Sequence, residues 1–180
     1  VNRKAGEEEA LRHIDALYAY ALRLSGAPDL ADDLVQEAYA RLLGRSDGLY
    51  SREVIRPALF RIVHNVYVDE WRKRQRRPRL VPIEKVDEPA AESLSEASIV
   101  WNSLSDEVSA ALDGLNDELR ETLWLREVED FDYREISEIV NVPIGTVRSR
   151  LSRARRQLAE RLKDYARGRG FRDVRRGESG

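Results

Sequence analysis

Between residues 145 and 156 the sequence reads GTVRSRLSRARR, which sets arginines and small hydroxyls against an apolar stripe. At 100° per residue, Val147, Leu151, Ala154 and Leu158 fall within about 60° of one another. Gly145, Ser149, Ser152 and Arg156 take the opposite face, with Arg148 and Arg153 on its flanks. Guanidinium groups can bind guanine edges or phosphate through paired N–H donors, and hydroxyls can meet any base. A helix built this way suits the DNA major groove, with its N-terminal residues against base edges. The residues before it supply a shorter helix starting near Tyr133, capped by Asp132, with Ile136, Ile139 and Val140 as its apolar stripe. "NVP" joins the two: Asn141 tolerates a left-handed backbone, and Pro143 suits a helix start. The whole reads as a helix-turn-helix, although an ordinary helical hairpin with a basic exterior would carry the same pattern.

Two further faces could bind something. Projecting residues 59–76 as a helix turns Leu59, Ile62, Val63, Val66 and Tyr67 inward. Arg61, Asn65, Val68, Arg72 and Arg76 form an outward stripe, with Phe60, His64 and Trp71 at its edge. Arginine and asparagine beside aromatic rings suit phosphate contacts plus stacking on unpaired bases. Phe60 serves equally as a core residue, and His64 reads as a boundary histidine rather than a metal ligand. A second, acidic row comprises Asp29, Asp33, Gln36, Glu37 and Ala40. It would repel DNA, so its partner should be protein unless it is merely a solvated face.

The elements that must position these faces are all helical. One helix is expected over about 7–24, with Leu11, Ile14, Leu17, Tyr18, Ala21 and Leu22 inward. Asp29 is a candidate cap for the next, over 30–43, which buries Ala31, Leu34, Val35, Ala38 and Leu42. A third runs over 54–76, with Pro57 tolerable only near its start. Residues 77–98 hold three prolines and little periodicity, the mark of a linker. A helix over 99–112 follows, then one capped by Asn116 that turns Leu119, Leu123 and Trp124 inward. No strand-like alternation persists, so the fold class is all-α: two small helical domains joined by a flexible linker. The expected boundaries are 1–78, an acidic linker over 79–98, a helix-turn-helix domain over 99–166, and a basic tail over 167–180.

Composition narrows the chemistry. The 180 residues carry a net charge of −2 but distribute it unevenly. Residues 82–130 hold 14 acidic and 3 basic side chains, and residues 145–176 hold 12 basic and 3 acidic. Six basic side chains and no acid lie in 72–81. Two basic blocks around an acidic connector point to polyanion binding. There is no cysteine, which removes thiolate chemistry and cysteine–zinc sites, and the two histidines, His13 and His64, make a histidine metal cluster unlikely. No apolar run approaches the ~20 residues of a membrane span. No signal-peptide core is present in "VNRKAGEEEALRHI", so a soluble cytoplasmic protein is expected.

Three stretches in order, "YALRLSGAPDLADDLVQEAYARLL", "ALFRIVHNVYVDEWRKRQRR" and "LDGLNDELRETLWLREVEDFDYREISEIVNVPIGTVRSRLSRARRQL", resemble a bacterial RNA polymerase sigma factor of the extracytoplasmic-function group. The resemblance covers residues 10–165. It implies that Asp33, Gln36, Glu37 and Ala40 dock on the clamp helices of the polymerase largest subunit. It implies that Arg61, His64, Asn65, Val68, Asp69, Trp71, Arg72, Lys73 and Arg76 read and melt the −10 promoter element, with loop 44–52 near a flipped base. The −35 element would fall to Thr146, Arg148, Ser149, Ser152, Arg153 and Arg156. The linker would thread toward the RNA exit channel, and an anti-sigma factor would hold the protein inactive. Neither enzymatic activity nor a cofactor, metal, small-molecule substrate or membrane insertion is implied. Ser137 and Asn141 depart from the alanine and glycine common in such helix-turn-helix units. A stand-alone helix-turn-helix regulator is the alternative. A nuclease using Asp32, Asp33 and Glu37 is a remoter one, because neither histidine is placed to complete its site.

Overall fold

A computed structural model of the chain describes residues 3–44, 52–76 and 106–168. The first domain comprises α1 (Arg3–Leu11), α2 (Ile14–Ser25), α3 (Pro28–Leu43) and α4 (Arg52–Arg76). The second comprises α5 (Asp106–Asp113), α6 (Asp117–Glu127), α7 (Tyr133–Ile139), α8 (Ile144–Arg161) and α9 (Lys163–Gly168). The described residues are all-helical, as expected. The linker over 79–98, the loop after Gly44 and nearly all of the tail lie outside the described residues.

The single helix expected over 7–24 is in fact two. Arg12 and His13 donate to the carbonyls of Glu9 and Ala10 in a tight turn. The Ala10 carbonyl, which would accept from residue 14 in an unbroken helix, instead also takes the Tyr39 hydroxyl at 2.7 Å. The break lets α1 lie on α4 while α2 packs along α3 and α4. It also turns Leu11 and Ile14 outward, at 59% and 43% exposure, against the expectation that both face the core. Asp29 is not a cap either. Ala27 occupies the N-cap without a side-chain bond and Pro28 opens α3, which leaves Asp29 in the first turn, favourably placed against the helix dipole.

Elsewhere the periodicity holds. Ala31, Leu34, Val35, Ala38 and Leu42 are buried on α3, and Leu59, Phe60, Val63 and Val66 on α4. In the second domain Asn116 caps α6 by accepting from the Leu119 amide at 2.9 Å. Leu119, Leu123 and Trp124 are buried behind it. Asp132 caps α7 within a full capping box completed by Glu135.

The domains do not stand apart. One continuous apolar cluster runs from Ala10 in α1 to Ala154 in α8. Phe60 of α4 lies between Tyr20 and Phe131, with ring centroids 5.0 Å from each, and meets Phe131 edge to face.

Candidate nucleic-acid and protein interfaces

The helix-turn-helix is assembled from α7 and α8. Asn141 carries φ +50°, the left-handed turn its side chain tolerates. Ser137 donates to the Val142 carbonyl at 2.5 Å and ties the turn to α7. Pro143 is the N-cap residue of α8, one position before the helix proper. Val147, Leu151 and Ala154 are buried, so the opposite face must point away from the protein. Arg148, Ser152, Arg153 and Arg156 are exposed there, with Thr146 and Ser149 half-buried. The Ser149 hydroxyl donates to the Thr146 carbonyl at 2.9 Å, and its oxygen accepts from Arg153 Nη2 at 3.5 Å. Gly145 is exposed, and a Cβ there would meet nothing within 4 Å. Two arginines of α8 serve the fold instead: Arg150 pairs with Glu118 at 2.9 Å and Arg155 with Glu127 at 2.7 Å.

On α4 the expected stripe is largely solvent-facing. Arg61, Asn65, Asp69, Arg72 and Lys73 are exposed, Val68 is half-buried, and Trp71 is 52% exposed. Lys73 pairs with Glu70 at 2.6 Å. The Arg76 side chain lies outside the described residues. His64 turns across to the second domain, where its Nδ1 lies 2.7 Å from Glu121 Oε1. On α3, Asp33, Gln36 and Ala40 are exposed in one row with half-buried Glu37, which binds Arg41 at 2.6 Å. Among the described residues no group of three or more histidines and carboxylates is placed to hold a metal ion. None of the helices there is long and apolar enough to cross a membrane.

Sequence reasoning missed a set of charged side chains between the domains. Glu129 is 5% exposed. It accepts from Arg56 at 2.8 Å and from the Trp124 indole at 3.1 Å. Arg56 also donates to the Glu129 carbonyl at 2.7 Å and lies 4.1 Å from the Phe131 ring centroid. Burial pushes the Glu129 carboxyl above its ordinary range, and Arg56 pulls it part of the way back. Burial, and then the Arg56 charge, pushes His13 down, opposed by Glu9. Glu121 accepts from the buried Tyr20 hydroxyl at 2.6 Å. Burial and the Glu121 charge hold that phenol well above its usual range. The stretch "LREVEDF" holds three acids, Glu127, Glu129 and Asp130, and periodicity does not single out the one that is buried.

Comparison with known proteins agrees with the helix order. A sigma-70 region 2 family model matches residues 10–77, and a sigma-70 region 4 model matches 105–158. The chain is 34% identical over 156 residues to the ECF RNA polymerase sigma factor EcfG of Rhodopseudomonas palustris, covering 86% of this chain and 83% of that protein. It is 36% identical over 162 residues to the ECF sigma factor SigE of Mycolicibacterium smegmatis, covering 89% of this chain and 62% of that longer protein. Among solved structures it resembles the sigma factor RpoE of Bartonella quintana, seen in complex with the anti-sigma factor NepR. That likeness has TM-score 0.64 and 30% identity, over 89% of this chain and 98% of that one. A helical domain matching region 2, a helix-turn-helix matching region 4 and relatives along nearly the whole chain agree: the chain belongs to the ECF RNA polymerase sigma factors, non-enzymatic proteins of transcription initiation that act with RNA polymerase on DNA.

Proposed function

We propose that this chain docks on the clamp helices of the polymerase largest subunit through Asp33, Gln36, Glu37 and Ala40. It then reads a −35 element with α8 and a −10 element with α4. The observation that carries this reading is the presence of three chemically distinct outward faces on one fold: acidic on α3, basic and aromatic on α4, and arginine- and serine-rich on α8. An acidic row repels DNA phosphate and fits a basic protein surface. Thr146, Arg148, Ser149, Ser152, Arg153 and Arg156 lie where a recognition helix meets base edges and backbone. Arg61, His64, Asn65, Val68, Asp69, Trp71, Arg72, Lys73 and Arg76 lie on the helix that would hold unpaired bases, with Trp71 as a stacking surface. Holding those bases favours the melted promoter because binding is stronger to the open than to the closed duplex. The region 2 domain would span 1–78 and the region 4 domain 99–166, joined by 79–98, with a basic tail over 167–180. The cytoplasm, where polymerase works, is its place of action. The likeness to a sigma factor seen with NepR supports regulation by an anti-sigma factor.

The test is transcription from genomic promoter fragments by sigma-free core polymerase with the purified chain added. Specific initiation is expected, and it should disappear when Asp33→Lys and Glu37→Lys reverse the acidic row. No initiation, with DNA still bound by the chain alone, would favour a stand-alone regulator.

A further inference from the structure

We infer that Gly145 serves the promoter and not the fold: it is the point at which the −35 duplex comes closest to the backbone of α8, and its missing Cβ sets how deep that helix sits in the groove. The inference deepens the sigma reading and rests on it for the DNA that α8 meets.

A glycine inside a helix needs a reason, because it loses more freedom on folding than any other residue and bares its backbone to water. Gly26, Gly44 and Gly114 show their reasons within the chain. Gly26 has φ +66°, the left-handed conformation that ends α2. A Cβ on Gly44 would lie 2.9 Å from the Ala40 carbonyl oxygen. One on Gly114 would collide with the guanidinium of Arg161, which donates to the Gly114 carbonyl at 2.8 Å. Gly145 has neither kind of reason. It is the second residue of α8, and Gly26 is the one glycine of positive φ among the described residues. A Cβ on Gly145 would meet nothing within 4 Å. The chain by itself would therefore accept alanine there, and the helix would gain from it.

The neighbouring side chains also leave the position bare. Side chains on a helix lean toward its N-terminus, so the patch over residue 145 falls to residues 148 and 149. Ser149 is short, and its hydroxyl turns onto the Thr146 carbonyl at 2.9 Å. Arg148 is exposed and does not close over the glycine. Gly145 thus lies open on the outward face it shares with Ser152 and Arg156, at the end of the helix whose residues meet base edges. Bare backbone lets the duplex approach the helix axis more closely than any Cβ would permit. That depth brings Thr146 and Arg148 within reach of it.

The fold and the promoter therefore place opposite demands on this residue, and substitution separates them. Gly145→Ala should raise the Tm of the free chain by about 1–4 °C, as alanine does where glycine holds an ordinary helical conformation. The same change should weaken promoter binding by the reconstituted holoenzyme about 5- to 150-fold, the span for a methyl group forced into a packed contact. Gly145→Leu, which also favours a helix, should weaken it further. Neither substitution alters charge, so loading onto core polymerase should match the wild type. Both losses should vanish on a promoter whose −35 element is replaced by unrelated sequence. Competition binding of holoenzyme to the two promoters and thermal denaturation of the chain supply these quantities.

A Gly145→Ala holoenzyme that binds the intact promoter as tightly as wild type would overturn the inference, since nothing would then come close enough to feel a methyl group. A Gly145→Ala chain less stable than its parent would also overturn it, by showing that the fold requires the glycine. Equal losses on both promoters would overturn it too, by placing the contact outside the −35 element. Failure of the wild-type chain to load onto core polymerase would instead strike the sigma reading. The same variants, compared on duplexes that the wild-type chain alone enriches from a random pool, would then decide the role of Gly145 by the same loss.

Discussion

Tyr39 donates its hydroxyl to the Ala10 carbonyl at 2.7 Å, in the turn where the chain breaks between α1 and α2. Burial, helped by the Asp15 charge, pushes that phenol up to about 12 from an ordinary value of 10.0. A raised folded-state value means its stabilisation is complete below the unfolded value and is lost as pH rises through the folded one. The Tyr20 and Tyr67 phenols are raised for the same primary reason and act in the same direction. Urea unfolding should therefore show stability falling above pH 10 and through about 12. Tyr39→Phe should cost about 1 kcal/mol at neutral pH, the usual worth of one hydrogen bond, and should flatten part of the alkaline loss. A variant as stable as the parent at pH 7 would show that this bond does not hold the turn. Residue chemistry also separates the arginines of α8. Arg156 is exposed on the outward face, whereas Arg155 is tied to Glu127 at 2.7 Å. Arg156→Ala should weaken binding to the −35 duplex and, if its partner is a phosphate, reduce the salt slope of log K by about 1. Arg155→Ala should lower stability more than DNA affinity, and fluorescence anisotropy across a salt series distinguishes the two.

At the scale of elements, most of the helices were legible because their ends are written in side chains. Asn116 and Asp132 cap as their types predict, and Asn141 takes the left-handed turn. Asp132→Ala should cost about 1 kcal/mol, as loss of a helix cap does. Asn141→Ala should cost roughly 1–2 kcal/mol, the penalty for placing a Cβ-bearing residue in left-handed backbone. Asn141→Gly should be close to neutral, so thermal denaturation of the three variants tests whether the turn is set by the conformation or by the asparagine side chain. The break at Arg12–His13 was not legible. Residues 7–24 keep helical periodicity throughout, and no proline or glycine interrupts them before Gly26. The interruption is imposed from outside, by α1 packing on α4 and by the Tyr39 hydroxyl bonding the Ala10 carbonyl. Asp29 failed as a cap for a local reason: Pro28 starts the helix two residues earlier than expected and moves the aspartate inside it.

At the scale of the whole molecule, which faces of α3, α4 and α8 point outward could be read from the sequence, but their mutual placement could not. A face that points to solvent leaves a periodic signature on one helix. A contact between domains joins residues from distant stretches, such as Phe60 with Phe131 or Arg56 with Glu129, and imposes no period on either. The charge pattern even argued for separation, since an acidic connector between basic blocks looks like a spacer. The structure instead places several of those acids against the first domain: Glu121 and Glu129 directly, and Asp113 through Arg23 at 3.4 Å. Since one apolar cluster spans both domains, they should unfold together. Native-state hydrogen exchange should give the same opening free energy for the amides of Val63 in α4 and Leu123 in α6. Phe131→Ala removes the ring that touches both Phe60 and Arg56. The two amides should then separate, with the second domain opening at lower free energy, since truncating a buried phenylalanine costs about 3–5 kcal/mol. If both fell equally, Phe131 would belong to one indivisible core. The domains could then part only by unfolding.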